Sequence, residues 1–455
     1  MKPSALVISC LLAALPAAGE NWPSFRGPGA SGVAESATPP LEWNVKEGKN
    51  VRWTTPIPGF SHASPVVWGD KVFVATAVHL AGDPSLRTGL YGDVDVTTNE
   101  GEISWRMLAL DRATGKVLWD KEVAKGKAKV DRHIKATHAN STPATDGKMV
   151  VVLFGSEGGL YGLDLDGNVK WRAELGGLDT GWFYDPSYQW GHSSSPVIWR
   201  DRVIVQVDRA QDSFLAAYSL ADGKQLWRTA RPEISSWGTP TPVPAGERWE
   251  IATNGGRAIR GYDPETGAEL WKVSPTTEVT VATPIFAHGL IFVSEGYRPL
   301  QPVYAIRPGG RGDLSLKEGQ TSSEQIPWAT MKGGTYIPTP IVVGEQLYTL
   351  GNGGALTCYE AKTGKELYKQ RVGSGRTAFT ASPVAAGNRV YLSSEDGDVY
   401  VFEAGAAYKS LSVSSMGETI MATPAITGDL LLVRTGKHLV ALGETKAPAA
   451  ATGSP

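Results

Sequence analysis

Residues 64–74 read Ser64-Pro65-Val66-Val67-Trp68-Gly69-Asp70-Lys71-Val72-Phe73-Val74. A hydroxyl residue and a proline precede a short apolar run, a Gly-Asp turn and a second apolar run, which is the pattern of two adjacent β-strands. The Ser/Thr-Pro step recurs seven more times, at Thr142-Pro143, Ser195-Pro196, Thr239-Pro240, Thr283-Pro284, Thr339-Pro340, Ser382-Pro383 and Thr423-Pro424. The chain is therefore an array of internal repeats, and each step begins the first strand of one repeat. In a closed ring of repeats, this first strand is the innermost one.

A second signature predicts two further strands in each repeat. Thr114-Gly115-Lys116 is followed by Trp119, four residues after the glycine, which is typical of a β-hairpin with an aromatic residue on its second strand. The same spacing recurs at Gly167/Trp171, Gly223/Trp227, Gly267/Trp271 and Gly364/Tyr368. The fifth repeat lacks this turn, and Trp328 takes the aromatic position after an inserted loop, 308–325. These aromatic residues are interpreted as packing between repeats.

The two ends of the array complement each other. The eighth repeat stops after its third strand, 439–442, whereas an unassigned strand with the expected tryptophan, Trp53, lies at 51–55. An unpaired edge is a liability that closure of the ring removes. The sequence therefore predicts an all-β fold, an eight-bladed β-propeller of four-stranded antiparallel blades over residues 51–442, closed by the N-terminal strand.

Composition narrows the classes of function. The chain of 455 residues has 44 Lys+Arg and 46 Asp+Glu, and its net charge of −2 argues against nucleic-acid binding. No serine-hydrolase or zinc-protease motif occurs, so no catalytic residue is assigned and the interpretation leans away from an enzyme. A monomer is expected.

The N-terminus has the pattern of an export signal. Lys2, an apolar run and small residues predict a signal peptide over 1–19, followed by an extension over 20–50. Residues 7–10 resemble a lipidation box ending at Cys10, but the apolar run continues past this cysteine, so a lipid anchor is not the favoured interpretation. We expect a periplasmic or extracellular protein with no membrane span and a disordered tail over 443–455.

The repeat as a whole resembles the pyrroloquinoline-quinone-type propeller repeat. Three stretches, 21–28 (NWPSFRGP), 132–143 and 231–237, are similar to a group of exported bacterial propellers. Two related families share the repeat: the quinoprotein alcohol and glucose dehydrogenases, and the propeller lipoprotein of the outer-membrane protein assembly machinery, a scaffold without a cofactor. The resemblance implies the fold strongly and the function weakly.

The dehydrogenase resemblance implies a quinone and a Ca²⁺ ion in the axial funnel. Dehydrogenases of the eight-bladed alcohol type carry adjacent cysteines over the quinone, but this chain has no such pair, and Cys358 lies on a third strand of the sixth repeat. No cofactor is therefore expected, and pyrroloquinoline quinone with Ca²⁺ remains the alternative.

Loops that enter the innermost strands converge on one mouth of the axial channel. Reading the residues three to five before each repeat proline, together with one nearby arginine, gives the candidate ligand-binding set His62, His138, Asn140, His192, Trp237, Tyr336 and Arg376. Such a set suits a small anionic or planar ligand. The competing interpretation is that these side chains fill the channel. No metal site is predicted, because no carboxylate lies at a diagnostic spacing from His133 and His138.

The predicted function is a binding or scaffolding module of the cell envelope, and the alternative is a quinone-dependent oxidoreductase. Envelope proteins or a small ligand are the expected partners, with protein contacts through the insertion 78–104 and the loop 308–325. Asp208, Arg209 and Asp212, together with Arg231, are expected to form an ion-pair network at the surface or rim.

We predict that deleting residues 20–55 abolishes cooperative unfolding, because the deletion removes the strand that closes the ring. Thermal unfolding of the truncated and full-length mature proteins, followed by circular dichroism, measures the effect. A melt of unaltered midpoint and sharpness in the truncated protein would contradict ring closure.

Overall fold

The computed structural model describes residues 21–82, 84–90, 95–185 and 187–445. The predicted signal peptide over 1–19 with Cys10, and all but the first three residues of the predicted tail over 443–455, lie outside the described residues. In the part of the chain that is described, the one helix is a short 3₁₀ turn, Pro28–Ala30. No helix there is long and apolar enough to cross a membrane.

Eight antiparallel blades surround a central axis, as predicted. From the innermost strand outward, blade 1 comprises Val66–Trp68, Lys71–His79, Glu102–Asp111 and Val117–Lys127, and blade 2 comprises Ala144–Thr145, Met149–Phe154, Gly159–Asp164 and Val169–Glu174. Blade 3 comprises Val197–Trp199, Arg202–Val207, Phe214–Ser219 and Gln225–Ala230, and blade 4 comprises Thr241–Ala245, Arg248–Thr253, Ile259–Tyr262 and Glu269–Val273. In the same order, blade 5 comprises Ile285–Ala287, Leu290–Ser294, Val303–Ile306 and Trp328–Thr330, and blade 6 comprises Ile341–Val343, Gln346–Leu350, Ala355–Glu360 and Glu366–Arg371. Blade 7 comprises Val384–Ala386, Arg389–Ser393, Asp398–Glu403 and Lys409–Ser415, and blade 8 comprises Ala425–Thr427, Leu430–Arg434, His438–Leu442 and Val51–Pro56.

The N-terminal strand closes the ring. Val51–Pro56 pairs antiparallel with His438–Leu442, and Trp53 lies opposite Ala441. The predicted closure is confirmed. The connections between blades and those between second and third strands lie on one side of the ring, which we call the mouth face.

Three short pairings extend the predicted four-stranded pattern. Val33–Ala34 adds a parallel strand beside blade 7, and Gly312–Asp313 adds one beside blade 4. On the mouth face, Val96–Thr97 pairs with Arg132–His133. These additions come from the N-terminal extension, the blade 5 loop and the blade 1 insertion, which the repeat pattern does not cover.

The Ser/Thr-Pro steps form a ring of hydrogen bonds between blades. In each of seven consecutive pairs of blades, the backbone N–H of one Ser or Thr donates to the hydroxyl of the corresponding residue in the next blade, at 2.9–3.1 Å. The accepting hydroxyls belong to Thr142, Ser195, Thr239, Thr283, Thr339, Ser382 and Thr423. The residue at this position must therefore meet two requirements. It must be small, because the blades are crowded near the axis, and it must carry an oxygen that accepts a hydrogen bond.

The eighth step of this ring differs from the others. The hydroxyl of Ser64 has no hydrogen-bond partner among the described residues, although it is fully buried. Blades 8 and 1 are instead joined by the N-terminal chain, which supplies the outer strand of blade 8 immediately before blade 1 begins.

The repeated tryptophans connect the outer parts of neighbouring blades. The indole of Trp53 donates to the carbonyl of Arg112 in the next blade at 2.9 Å, and Trp119 donates to Leu165 at 2.9 Å. The same contact joins Trp171 to Leu220, Trp227 to Pro264 and Trp328 to Ala361. The turn glycine lies against the indole ring of the preceding blade, where a side chain would not fit. A Cβ on Gly115 would lie 2.5 Å from the Trp53 ring. The interpretation of these residues as packing between blades is confirmed.

Blade 5 lacks the turn, and its inserted loop replaces the missing contact. Trp271 of blade 4 donates to the carboxylate of Glu250 at 2.9 Å within its own blade. The backbone of Gly309 and the guanidinium of Arg311 donate to the same carboxylate, each at 3.1 Å. The loop 308–325 is therefore docked on the edge of blade 4.

We predict that Ser195→Ala lowers the free energy of unfolding by about 1–3 kcal/mol, because it leaves the buried N–H of Thr142 without an acceptor. Ser64→Ala is the matched control, since the Ser64 hydroxyl accepts no such bond, and we expect a change within about 0.5 kcal/mol. Urea unfolding at equilibrium measures both. Equal losses in the two variants would contradict a role of the hydroxyl as acceptor.

Candidate functional site

A cavity of about 410 Å³ lies on the axis, inside the ring of hydroxyls. All seven accepting Ser and Thr residues of the ring line it, as do aromatic residues from the mouth-face connections. The innermost strands form its wall because each begins at a ring residue. The cavity is thus a direct product of the repeat.

The N-terminal extension forms the floor of the cavity. Trp22 pairs with Val67 of the innermost strand of blade 1, with N–H···O distances of 2.9 and 2.8 Å. Phe25 lines the cavity, and the Arg26 guanidinium reaches the carbonyls of Pro340 and Pro383 on the opposite side at 2.9 and 2.7 Å. The stretch 21–28 therefore crosses the channel from blade 1 to blades 6 and 7.

Arg26 is fully buried and has carbonyl oxygens as its partners. Besides the two proline carbonyls, its guanidinium donates to Ala30 and Ser31 at 3.2 and 3.1 Å. Burial lowers the pKa of Arg26 to about 9, which still leaves the side chain charged at neutral pH. Four carbonyl acceptors compensate part of the cost of burying the charge, so Arg26 holds the floor segment in place.

Aromatic side chains line the upper part of the cavity. Trp190 and Trp237 stack with ring centroids 5.8 Å apart, and Tyr297 lies 5.7 Å from Tyr336. Trp182 adds a further, partly buried indole. The repeat pattern does not identify Trp182, Trp190, Tyr297 and Phe25, because they lie in long connections or in the extension, more than five residues before a repeat proline or outside the repeats.

A buried ion pair lies on one side of the mouth. Lys135, which lines the cavity, lies 2.9 Å from Glu395 of the blade 7 connection. Glu395 also accepts the backbone N–H of Gly89 at 2.7 Å and the hydroxyl of Thr380 at 2.6 Å. The blade 1 insertion, the blade 2 entry loop and blade 7 are thereby tied together on one side of the mouth.

Four of the seven candidate residues line the cavity: His62, Asn140, Trp237 and Tyr336. His62 Nε2 lies 2.8 Å from the carbonyl of Lys135, so this nitrogen carries the proton. Burial lowers the pKa of His62 to about 4, which makes it neutral at physiological pH. The Asn140 side chain accepts from the backbone and hydroxyl of Thr137 at 2.9 and 2.8 Å, and the Trp237 indole donates to Gly191 at 2.8 Å.

The other three candidates do not line the cavity. His138 and His192 are buried behind the lining, and Arg376 is solvent-exposed. The three histidines therefore share no pocket. His192 Nδ1 lies 3.4 Å from the hydroxyl of Thr180, and its Nε2 has no partner among the described residues. The offset in sequence places the backbone of these residues near the mouth, but the side chains point elsewhere.

His138 belongs to an ion-pair cluster with the blade 1 insertion. Its Nε2 lies 2.9 Å from Glu100, and ligand atoms of His79, Glu100 and His138 lie within 4.8 Å of one another. Arg132 occupies both oxygens of Glu100, at 2.5 and 2.8 Å. Burial alone would raise the pKa of Glu100, but hydrogen bonds from His138 and Arg132 outweigh burial and lower it to about 2. Both carboxylate oxygens of Glu100 are therefore already bound by a cationic side chain.

The predicted pairing of Arg231 at the surface or rim is wrong in its location. Asp208 and Arg231 are both fully buried and form a bidentate pair at 2.7 and 3.0 Å. Gln206 and Ser236 also donate to Asp208, at 2.8 and 2.5 Å, and Arg231 donates to Tyr262 at 2.9 Å. These additional partners compensate the cost of burying the two charges, which neither residue type nor spacing reveals.

We predict that His192→Asn reduces the loss of stability on acidification. Burial, opposed by Asp208, lowers the pKa of His192 to about 4, whereas an unfolded histidine titrates near 6.5. The unfolded chain therefore takes up the proton first, and stability present at neutral pH is lost as the pH falls from about 6.5 to about 4.

The variant should lose less stability over this interval, by on the order of 3 kcal/mol, in urea unfolding at a series of pH values. His288→Asn, at an exposed histidine, is the control. An unchanged pH profile in His192→Asn would contradict the buried neutral histidine.

The chain matches the family described as outer membrane protein assembly factor BamB over residues 41–207, 211–306 and 311–446. A curated relative with that description, from Burkholderia pseudomallei, is 31% identical over 104 residues, which are 23% of this chain and 26% of the relative. A tetrathionate hydrolase from Acidithiobacillus ferrooxidans is 21% identical over 379 residues, which are 77% of this chain and 66% of that enzyme. The matches thus span less than two thirds of either relative.

A solved structure with the same fold is the quinohemoprotein alcohol dehydrogenase from Comamonas testosteroni, with a TM-score of 0.61 and 14% identity. The match covers 96% of this chain and 82% of that structure, and at this identity it shows the fold alone. The family match, in contrast, extends over every blade. This chain belongs to the family of the outer membrane protein assembly factor BamB.

Proposed function

We propose that the protein is an exported binding or scaffolding module of the cell envelope that binds protein partners through its mouth face. The family description, an assembly factor of outer membrane proteins, supports partners within that machinery. Export is supported by the N-terminal pattern and by the envelope location that the family description implies.

The observation that carries the proposal is exposed apolar surface on the mouth face. Leu80 and Leu90 of the blade 1 insertion are 49% and 51% exposed, and Tyr184 of the connection into blade 3 is 68% exposed. Large exposed apolar patches mark protein-interaction sites, and these three residues lie on the same face of the ring. The hydrogen bond from the Gly89 N–H to Glu395 holds the insertion against blade 7 at the residue next to Leu90.

The loop 308–325 is the weaker candidate of the two predicted contact regions. Its Gly312–Asp313 segment pairs with the outer strand of blade 4, and Leu314 donates to the carbonyl of Lys272 at 2.9 Å. Its backbone groups are therefore partly used within the propeller. We assign partner binding to the insertion.

A quinone-dependent oxidoreductase is the alternative function, and the cavity does not fit its cofactor. Ca²⁺ prefers several oxygen ligands, usually including carboxylates. No Asp or Glu is among the described residues that line the cavity. The buried Glu395 behind the lining is already paired with Lys135, Gly89 and Thr380. The stacked Trp190 and Trp237 suit a planar group, but the donor set for the ion is missing from this lining.

We predict that the double variant Leu80→Asp/Leu90→Asp no longer co-purifies the partners of the wild-type protein after crosslinking in native envelopes, because charges at an apolar contact oppose its desolvation. Abundance of outer membrane proteins in a deletion strain complemented by each variant is the second readout.

Leu226→Asp is the matched control, since Leu226 is equally exposed on an outer strand away from the mouth face. Retention of the same partners and of normal outer membrane protein levels by the double variant would overturn the assignment to this surface.

A further inference from the structure

The hydroxyl ring presents unused hydrogen-bond donors to the axial cavity. Each of the seven accepting hydroxyls uses a lone pair for the N–H of the preceding blade, and its own proton has no acceptor among the described residues. All seven residues are more than nine-tenths buried and line the cavity. A hydroxyl that accepts still donates, so a molecule on the axis meets a ring of donors.

The lining carries no uncompensated charge at neutral pH. Lys135 is its one Lys or Arg among the described residues, and this ammonium is paired with Glu395. His62 is neutral, because burial lowers its pKa to about 4. His133 Nδ1 accepts the N–H of Lys135 at 3.0 Å, which requires a neutral imidazole. An anion would therefore lose its hydration without gaining a partner of opposite charge.

Partly buried aromatic rings accompany the ring donors in the cavity lining. Trp182 and Trp190 on the blade 3 side, and Tyr297 and Tyr336 on the blade 5 and 6 side, are partly open to solvent and line the same cavity. Such rings offer flat apolar faces within reach of polar groups. A wholly apolar ligand would leave the ring donors unpaired, and burying unpaired donors is unfavourable.

We propose that the axial cavity binds a neutral mono- or disaccharide. A sugar ring presents apolar C–H faces to the indoles and many oxygen acceptors to the ring hydroxyls, and it needs no counter-charge. The cavity of about 410 Å³ lies in the size range of small-ligand sites. This site goes beyond the proposed partner binding and does not depend on it, because the exposed leucines of the mouth face do not line the cavity.

Titration of the mature protein with maltose, cellobiose and N,N′-diacetylchitobiose tests the proposal by calorimetry and tryptophan fluorescence. We expect at least one of these sugars to bind with saturation and one-to-one stoichiometry at millimolar concentrations or below. Trp182→Ala should weaken this binding about tenfold, as expected for the loss of roughly 1.4 kcal/mol.

Trp249→Ala is the matched control, because Trp249 is 39% exposed on blade 4 and does not line the cavity. Equal unfolding midpoints of the two variants establish that both are folded. Glucuronate and pyrroloquinoline quinone with Ca²⁺ form the anionic arm.

Absence of saturable binding by all three sugars would overturn the proposal, as would equal weakening in both variants or tighter binding of either anion than of every sugar. Loss of partner binding in the leucine double variant would leave this result unaffected, so the two proposals fail separately.

Discussion

A single repeated hydrogen bond, from a backbone N–H in one blade to the hydroxyl of the next, organises the centre of this propeller. Each bond contributes only about 1 kcal/mol net, but seven of them tie eight blades at the radius where the chain is most crowded. The hydroxyl must be small to fit, must accept to satisfy the neighbouring N–H, and keeps a donor that faces the axis. The same interaction therefore holds the blades together and sets the chemistry of the cavity.

The N-terminal chain completes what this ring leaves open. Residues 21–28 cross the channel as its floor, held by the buried guanidinium of Arg26 on carbonyls of blades 6 and 7. Residues 51–56 then supply the outer strand of blade 8. The first and last blades lack the hydroxyl contact at Ser64, so the chain itself provides their connection.

The two proposed binding surfaces are chemically distinct. The mouth face carries exposed leucines on an insertion that an ion pair between Lys135 and Glu395 holds against blade 7. The cavity beneath it is neutral, aromatic and rich in donors. Family membership supports the proposed partner binding at the first surface, and the absence of carboxylates among the described lining residues separates the second from the calcium-quinone sites that the dehydrogenase resemblance implies.

The number of blades, their strand order and the closure at Trp53 are all predictable from the amino-acid sequence alone. These features depend on local turns and on the spacing of apolar residues, and both signals recur along the chain. The sequence also places His62, Asn140, Trp237 and Tyr336 at the cavity. The orientation of His138 toward Glu100 of the blade 1 insertion depends on the folded chain, because long-range partners set the direction of a loop side chain. The position of Phe25, Trp182 and Trp190 at the cavity likewise depends on the folded chain, since packing across blades brings together segments that share no pattern in the chain.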